Sequence, residues 1–151
     1  MSKIIDIIRK ATPEADGFND HFAVLDNGVE LLSGRISTEP NPFRPKDKSP
    51  WYDVYARIAE GTYKYQCIPD HHKFGRCLLI NDGGDVTTLN PNSNRDGGYV
   101  GSQIFIHTGW SETWRGSKGC LTIPPSNAIP FFICFDDNEV GKLTIRKVEA
   151  V

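Results

Sequence analysis

The sequence predicts a mainly β protein, a single antiparallel β domain carrying one or two short helices. Three observations lead there. Beyond the first dozen residues no stretch shows helical periodicity of useful length. Short apolar runs recur along the chain, bounded by turn signals at Asp26-Asn-Gly28, Asn81-Asp-Gly-Gly84 and Asp137-Asn138. The 151 residues are one domain's worth of chain, enough to bury one core, so residues 1–151 are taken as one unit.

The N-terminal segment is the exception to the β pattern. Ile4, Ile5, Ile7 and Ile8 share one face of a helix over residues 1–12, with Ser2 as its cap. Asp6 and Arg9 interrupt the run, so it is no secretory segment and the chain is expected to carry no export signal of its own. Strands are expected at His21–Leu25, Val29–Ser33, Gly61–Ile68, Arg76–Ile80, Gln103–His107, Ala128–Phe135 and Lys142–Val148, and β character resumes at Leu121-Thr-Ile123. Asp26-Asn-Gly28 predicts a hairpin between the first two of these strands. Tyr52–Ile58 reads as one or two helical turns. Residues 38–50 carry four prolines and read as a loop, as does the Gly-, Asn- and Asp-rich segment 81–101, whose length suits a functional or mobile connection.

Composition narrows the function classes. A net charge of −2 provides no basic footprint for nucleic acid. No apolar run approaches the roughly 18 residues that span a bilayer, so no membrane insertion is expected. The four cysteines, at 67, 77, 120 and 134, fit neither a dense disulfide scaffold nor paired zinc-binding CxxC motifs. Cys134, inside Phe131–Phe135, reads as a small hydrophobe in a buried strand. Cys67, His71, His72 and Cys77 fall within eleven residues. Three readings of them stay open: a zinc site, a disulfide, or two independent cysteines.

The stretch from Gln103 to Pro125 carries the chemistry. Its apolar start delivers His107 at a strand end, where a base is held more rigidly than on a loop. Thirteen residues on stands Cys120, preceded by Ser117, Lys118 and Gly119. Glycine permits a tight turn, so that consecutive N–H groups can converge on an oxyanion, and a nearby imidazole can hold the thiol as thiolate, the form that attacks carbonyls. The bland alternative is a tight turn at Gly119-Cys120 and a satisfied strand-end histidine.

His107 with Ser117-Lys-Gly-Cys120 resembles the histidine and Ser/Thr-His-Gly-Cys motif of L,D-transpeptidase catalytic domains, the YkuD-like fold. Glu60-Gly-Thr-Tyr63, His72-Lys-Phe-Gly-Arg76 and Ile104-Phe-Ile-His-Thr-Gly109 are similar to its small single-domain branch among phage and bacterial proteins, over roughly residues 20–125. The resemblance implies a YkuD-like sandwich or barrel with no cofactor and no metal. Cys120 would be the acylated nucleophile and His107 its base, oriented by the Thr108 carbonyl. N–H groups around Gly119 and Cys120 would form the oxyanion hole, with Ser117 shaping the turn. Lys118 stands where the family has its second histidine, and Thr122 where many members have an arginine. The short His–Cys spacing implies a reduced lid.

Several further residues are candidates for substrate contact. Trp114, with Trp110, can form an aromatic wall or pack the loop; Arg115 and Lys118 can bind a carboxylate or remain solvated. Tyr99 belongs to a candidate lid, and the resemblance brings the hairpin bearing His72 and Arg76 near the site. The leading expectation is therefore a cysteine acyl-transfer enzyme acting on peptidoglycan stem peptides, as transpeptidase, carboxypeptidase or endopeptidase. It would be made in the cytoplasm and reach the bacterial cell wall by another delivery route, as a phage lysis or virion protein or an antibacterial effector does. Two alternatives accompany it: a non-catalytic structural or binding module on the same fold, and a zinc-dependent hydrolase built on residues 67–77.

Overall fold

The computed structural model describes residues 3–10, 17–39, 57–92, 95–111 and 119–147. Along these residues the chain forms β1 (Ile4–Arg9), β2 (Asp20–Asp26), β3 (Val29–Ile36), β4 (Gly61–His71) and β5 (Gly75–Ile80). A single 3-10 turn (Asn81–Gly83) leads to β6 (Val86–Asn92) and β7 (Gly98–Gly101). The chain continues with β8 (Phe105–Thr108), β9 (Leu121–Ile123), the helix α1 (Pro125–Phe132) and β10 (Val140–Lys147).

The main sheet runs β3-β2-β1-β10-β4-β5-β8-β9, and β6-β7 form a separate ribbon. Neighbours in the main sheet are antiparallel except for two parallel pairs, β1 with β10 and β8 with β9. The two edges meet where Ser37, just past β3, exchanges backbone hydrogen bonds with Thr122 of β9, at 2.8 and 3.0 Å. The result is a nearly closed, barrel-like β sandwich, and the mainly β domain expected from sequence is what the chain forms. Its interior is apolar, with Ile5 and Ile7, Phe22 and Val24, Tyr65 and Cys67, Leu78 and Ile80, Ile106, Leu121, Ile123 and Leu143 pointing inward from successive strands. Among the described residues no helix is long and apolar enough to cross a membrane.

Four sequence expectations are corrected here. The N-terminal helix over residues 1–12 is not formed: residues 4–9 are strand β1, paired with both β2 and β10. The spacing of its isoleucines suits a helix face and a central strand equally. β-branched residues favour the strand, and a partner on each side supplies hydrogen bonds that an isolated short helix lacks. Ile5, Ile7 and Arg9 alternate inward.

Residues 128–135 are not a strand. Pro125 opens α1 at its first turn, where its fixed φ is already helical and no N–H is needed. Ala128, Phe131, Phe132 and Phe135 fall at intervals of three and four, and all four are buried. Phe131 packs edge-on against Phe22 at 4.9 Å and Phe135 against Tyr65 at 5.2 Å. Cys134 lies in the turn after α1, half-buried, with its thiol donating to Pro130 O at 3.3 Å.

The described residues of the segment 81–101 form not an open loop but the 3-10 turn and the β6–β7 ribbon. Its strand signal is largely inverted: after Val86 the buried positions are Thr88, Asn90 and Asn92 while Leu89 is exposed, and Pro91 interrupts the pattern. The buried amides have partners, since Asn90 Oδ1 accepts from Arg57 N at 3.1 Å and Asn92 Nδ2 donates to Val100 O at 3.0 Å. Residues 57 and 58 are extended rather than helical, bridged to β6 by Leu89 N donating to Arg57 O at 2.8 Å. Residues 40–50 of the proline-rich segment and 52–56 lie outside the described residues.

Candidate active site

The β8–β9 pair fixes the candidate nucleophile and base relative to each other. Its parallel register sets Ile106 opposite Leu121 and His107 opposite Thr122. Side chains alternate along a strand, and directly opposed residues share a face. Ile106 and Leu121 point into the core, so His107 and Thr122 lie on the other face. One step earlier in the same register, Cys120 falls beside Phe105 on that face too. Cys120 and His107 are thus diagonal neighbours on adjacent strands.

On the other side of β8, Leu78 opposes Ile106 and Leu79 opposes Phe105. Continuing that register one residue brings Cys77 beside His107. The face therefore carries one row of Cys77, His107 and Thr122, and a preceding row of Leu79, Phe105 and Cys120.

His107 is 4% exposed. Its Nδ1 lies 2.8 Å from the carbonyl oxygen of Thr108. A carbonyl can only accept, so Nδ1 carries the hydrogen and Nε2 keeps its lone pair, the arrangement a general base needs. The ring lies flat on Phe74 at 4.2 Å. Phe74 is held in turn by His71, whose Nδ1 accepts from the N–H groups of Lys73 and Phe74 at 3.1 and 3.2 Å, and both rings pack against Phe105. Burial pushes the imidazole below its ordinary value of 6.5; the Thr108 bond opposes this and the Lys73 charge adds to it.

Cys120 is half-buried and follows Gly119, whose φ of +151° suits glycine. Its thiol faces the carbonyl oxygen of Gln103 at 4.0 Å. Burial raises its pKa above 9.0, against the lowering effects of the Phe105 backbone N–H and of Lys73. At neutral pH the resting pair is therefore a thiol and a neutral imidazole rather than an ion pair.

Gln103 is the residue that sequence reading missed. It adopts φ +54°, as Asn81 and Asp82 also do at +51° and +55°. The three meet in one patch: Gln103 donates from its backbone N and from Nε2 to Gly83 O, at 3.1 and 3.2 Å, while its own carbonyl faces the thiol. Left-handed backbone is uncommon for a glutamine and collects at functional sites. No motif announces it; the Asn-Asp-Gly-Gly turn signal was its only trace.

The other expected site residues are distributed unevenly. Arg76 is engaged structurally, donating to Phe132 O at 3.3 Å, to Phe135 O at 2.5 Å and to Asp137. His72 is exposed at the β4–β5 turn and stacks on His71 at 4.4 Å. Tyr99 is 59% exposed on the separate ribbon. Trp110 is 77% exposed. Ser117, Lys118, Arg115 and Trp114 lie outside the described residues. Cys67 points into the core while Cys77 lies on the opposite face, so the two thiols of the 67–77 segment cannot converge on one metal or on each other. Among the described residues no three metal-ligating side chains cluster.

Beyond Thr108 a groove of about 240 Å³ runs between the strand ends and α1. Phe74 and Thr108 form its near wall, Ala128 and Phe132 its floor, and the exposed Ile129 and Ile133 its rim. With Arg76 engaged by backbone and Asp137, the groove is apolar in character.

The chain matches no protein-family model, no curated protein and no solved structure.

A half-buried thiol just ahead of β9 and a tautomer-fixed imidazole on β8 are two of the groups that nucleophilic acyl transfer requires.

Proposed function

We propose that this protein is a cysteine-dependent acyl-transfer enzyme acting on peptidoglycan stem peptides, with Cys120 as nucleophile and His107 as base. The observation that carries the chemistry is the bond between His107 Nδ1 and the Thr108 carbonyl, which leaves Nε2 as proton acceptor on the face that also bears Cys120. The substrate class follows from the resemblance of residues 104–109 and 117–120 to L,D-transpeptidase domains, and the site of action is then the bacterial cell wall.

In this reading Cys120 Sγ attacks the carbonyl carbon of the stem peptide while its proton passes to His107 Nε2. N–H groups near Gly119 and Cys120 hold the oxyanion. Collapse of the tetrahedral intermediate breaks the C–N bond, and the leaving amine takes the proton from Nε2. Water or a second amine then attacks the thioester, handing a proton to Nε2; the C–S bond breaks, and Nε2 returns that proton to the departing sulfur, restoring the Cys120 thiol. The apolar groove past Thr108 receives an uncharged part of the acyl donor.

The raised pKa of Cys120 favours a second reading, a non-catalytic module on the same fold. One experiment separates the two. Purified stem peptides are incubated with the protein and with Cys120→Ala, and the products are weighed by mass spectrometry. New shortened or cross-linked peptides from wild type alone support the enzyme. Unchanged peptides with wild type, or equal products from Cys120→Ala, refute it.

A further inference from the structure

Thr122 sits between Leu121 and Ile123, and none of the three has exposed surface. Its backbone is fully paired with Ser37, its N–H donating at 3.0 Å and its carbonyl accepting at 2.8 Å. Its side chain is not paired: Oγ1 is buried without a hydrogen-bond partner. Valine has the same branching and the same preference for a strand, and it would avoid the penalty of a desolvated, unbonded hydroxyl. A polar atom kept in such a place calls for a partner that the resting state does not supply.

The residue directly opposite Thr122, on the same face, is His107. The imidazole Nδ1–H is already engaged by Thr108 O, and one flat side of the ring is covered by Phe74. The titratable and charged groups around the ring are Lys73 and His71 from the β4–β5 turn, Cys77 from β5 and Cys120 ahead of β9. Burial holds both cysteines as neutral thiols, and Lys73 repels a second positive charge. Among the described residues, no carboxylate offsets the charge that His107 acquires when it takes the Cys120 proton.

We propose that Thr122 is the positioning residue for the charged form of His107, its hydroxyl oxygen turning toward the ring to stabilise the imidazolium. The step moves one proton, from Cys120 Sγ to His107 Nε2, and makes or breaks no other covalent bond. This deepens the acyl-transfer reading and rests on it for its place in a catalytic cycle. It also explains why a threonine can serve at that position: the hydroxyl acts on the base from within the sheet and need not reach the substrate.

The test compares wild type with Thr122→Val and Thr122→Ser by two readouts. One is the NMR titration of the His107 ring, assigned by its loss in His107→Gln; the other is the rate of acyl-enzyme formation with stem peptides. Thr122→Val is expected to melt at the wild-type temperature or slightly above it. Its His107 midpoint should fall by roughly half a pH unit or more, since a bond to the charged form is lost. Acylation should slow about tenfold, and Thr122→Ser should restore both values. If the valine variant folds poorly, Thr122→Ala deletes the same oxygen and should show the same shift. A His107 midpoint unmoved in the variant that folds would overturn the proposal. If wild type forms no acyl-enzyme at all, the acyl-transfer reading fails, and the NMR midpoint alone still decides whether Thr122 acts on His107.

Discussion

The ring of His107 lies flat on the ring of Phe74, with centroids 4.2 Å apart and planes within 3° of parallel. The contact joins the tip of the β4–β5 hairpin to the strand bearing the candidate base, and it shields one whole side of the imidazole from water. Phe74→Ala should therefore let the His107 pKa rise back toward 6.5, because burial is the main cause of its depression. The stability loss should be about 1–2 kcal/mol, since Phe74 is only half-buried. NMR titration and urea unfolding of the same variant check both parts.

The depressed pKa of His107 also has a consequence for folding. The folded-state value lies below the unfolded value near 6.5, so the unfolded chain binds the proton more readily. The stability contributed by neutral His107 is complete above pH 6.5 and is lost as pH falls through the folded value. The loss is about 1.4 kcal/mol for each unit of separation. Unfolding curves from pH 8 down to pH 5 should show it, and His107→Gln should flatten that part of the profile.

Much of this arrangement was legible in the sequence, and the reasons differ by element. His107 at a strand end and Cys120 after glycine could be read because residue type and local pattern coincide there. The hairpin at Asp26-Asn-Gly28 was readable for the same reason, and Asn27 and Gly28 do take positive φ. The segments 4–9 and 128–132 were misread in opposite directions, because apolar spacing alone does not distinguish a central strand from a short helix; tertiary pairing decides the first and the proline start the second. The β6–β7 ribbon was invisible because, after Val86, the buried positions of β6 are polar. Gln103 left only the Asn-Asp-Gly-Gly turn signal as a trace, and Thr122 stood out only as the replacement of a family arginine, since the importance of the two lies in a backbone angle and an unmet hydrogen bond.

At the end of β1, Arg9 and the wholly buried Glu39 form part of an ion network. Glu39 accepts from Arg57 at 2.6 and 3.2 Å and lies 3.4 Å from Arg9 Nε. Removing the carboxylate takes the bidentate partner from Arg57 and leaves the buried Arg9 with Glu60, at 3.4 Å, as its remaining ion partner among the described residues. Glu39→Ala should cost about 3–5 kcal/mol, far more than breaking the exposed Lys64–Asp82 pair, which should cost under about 1 kcal/mol. Chemical denaturation of the two variants tests the contrast.

Thiol reactivity should follow burial. With its pKa raised above 9.0, Cys120 should be alkylated slowly at pH 7 and faster as pH increases. Cys77, pushed up to about 11 and without exposed surface, should lag behind it in the folded protein. Timed iodoacetamide labelling with peptide mapping gives the order directly. Labelling of Cys77 before Cys120 would contradict the burial described for the two thiols.

The central claim is that Cys120 accepts an acyl group from a peptide donor, with His107 taking its proton. The most direct measurement is the intact mass of the protein, quenched in acid within the first turnover after mixing with stem peptides. Acid preserves a thioester, and digestion then locates it. The account predicts a mass increase equal to the acyl fragment, mapped to Cys120, absent in Cys120→Ala and formed far more slowly in His107→Ala. An unmodified Cys120 throughout a reaction that consumes the peptide, or an adduct on another residue, would contradict it.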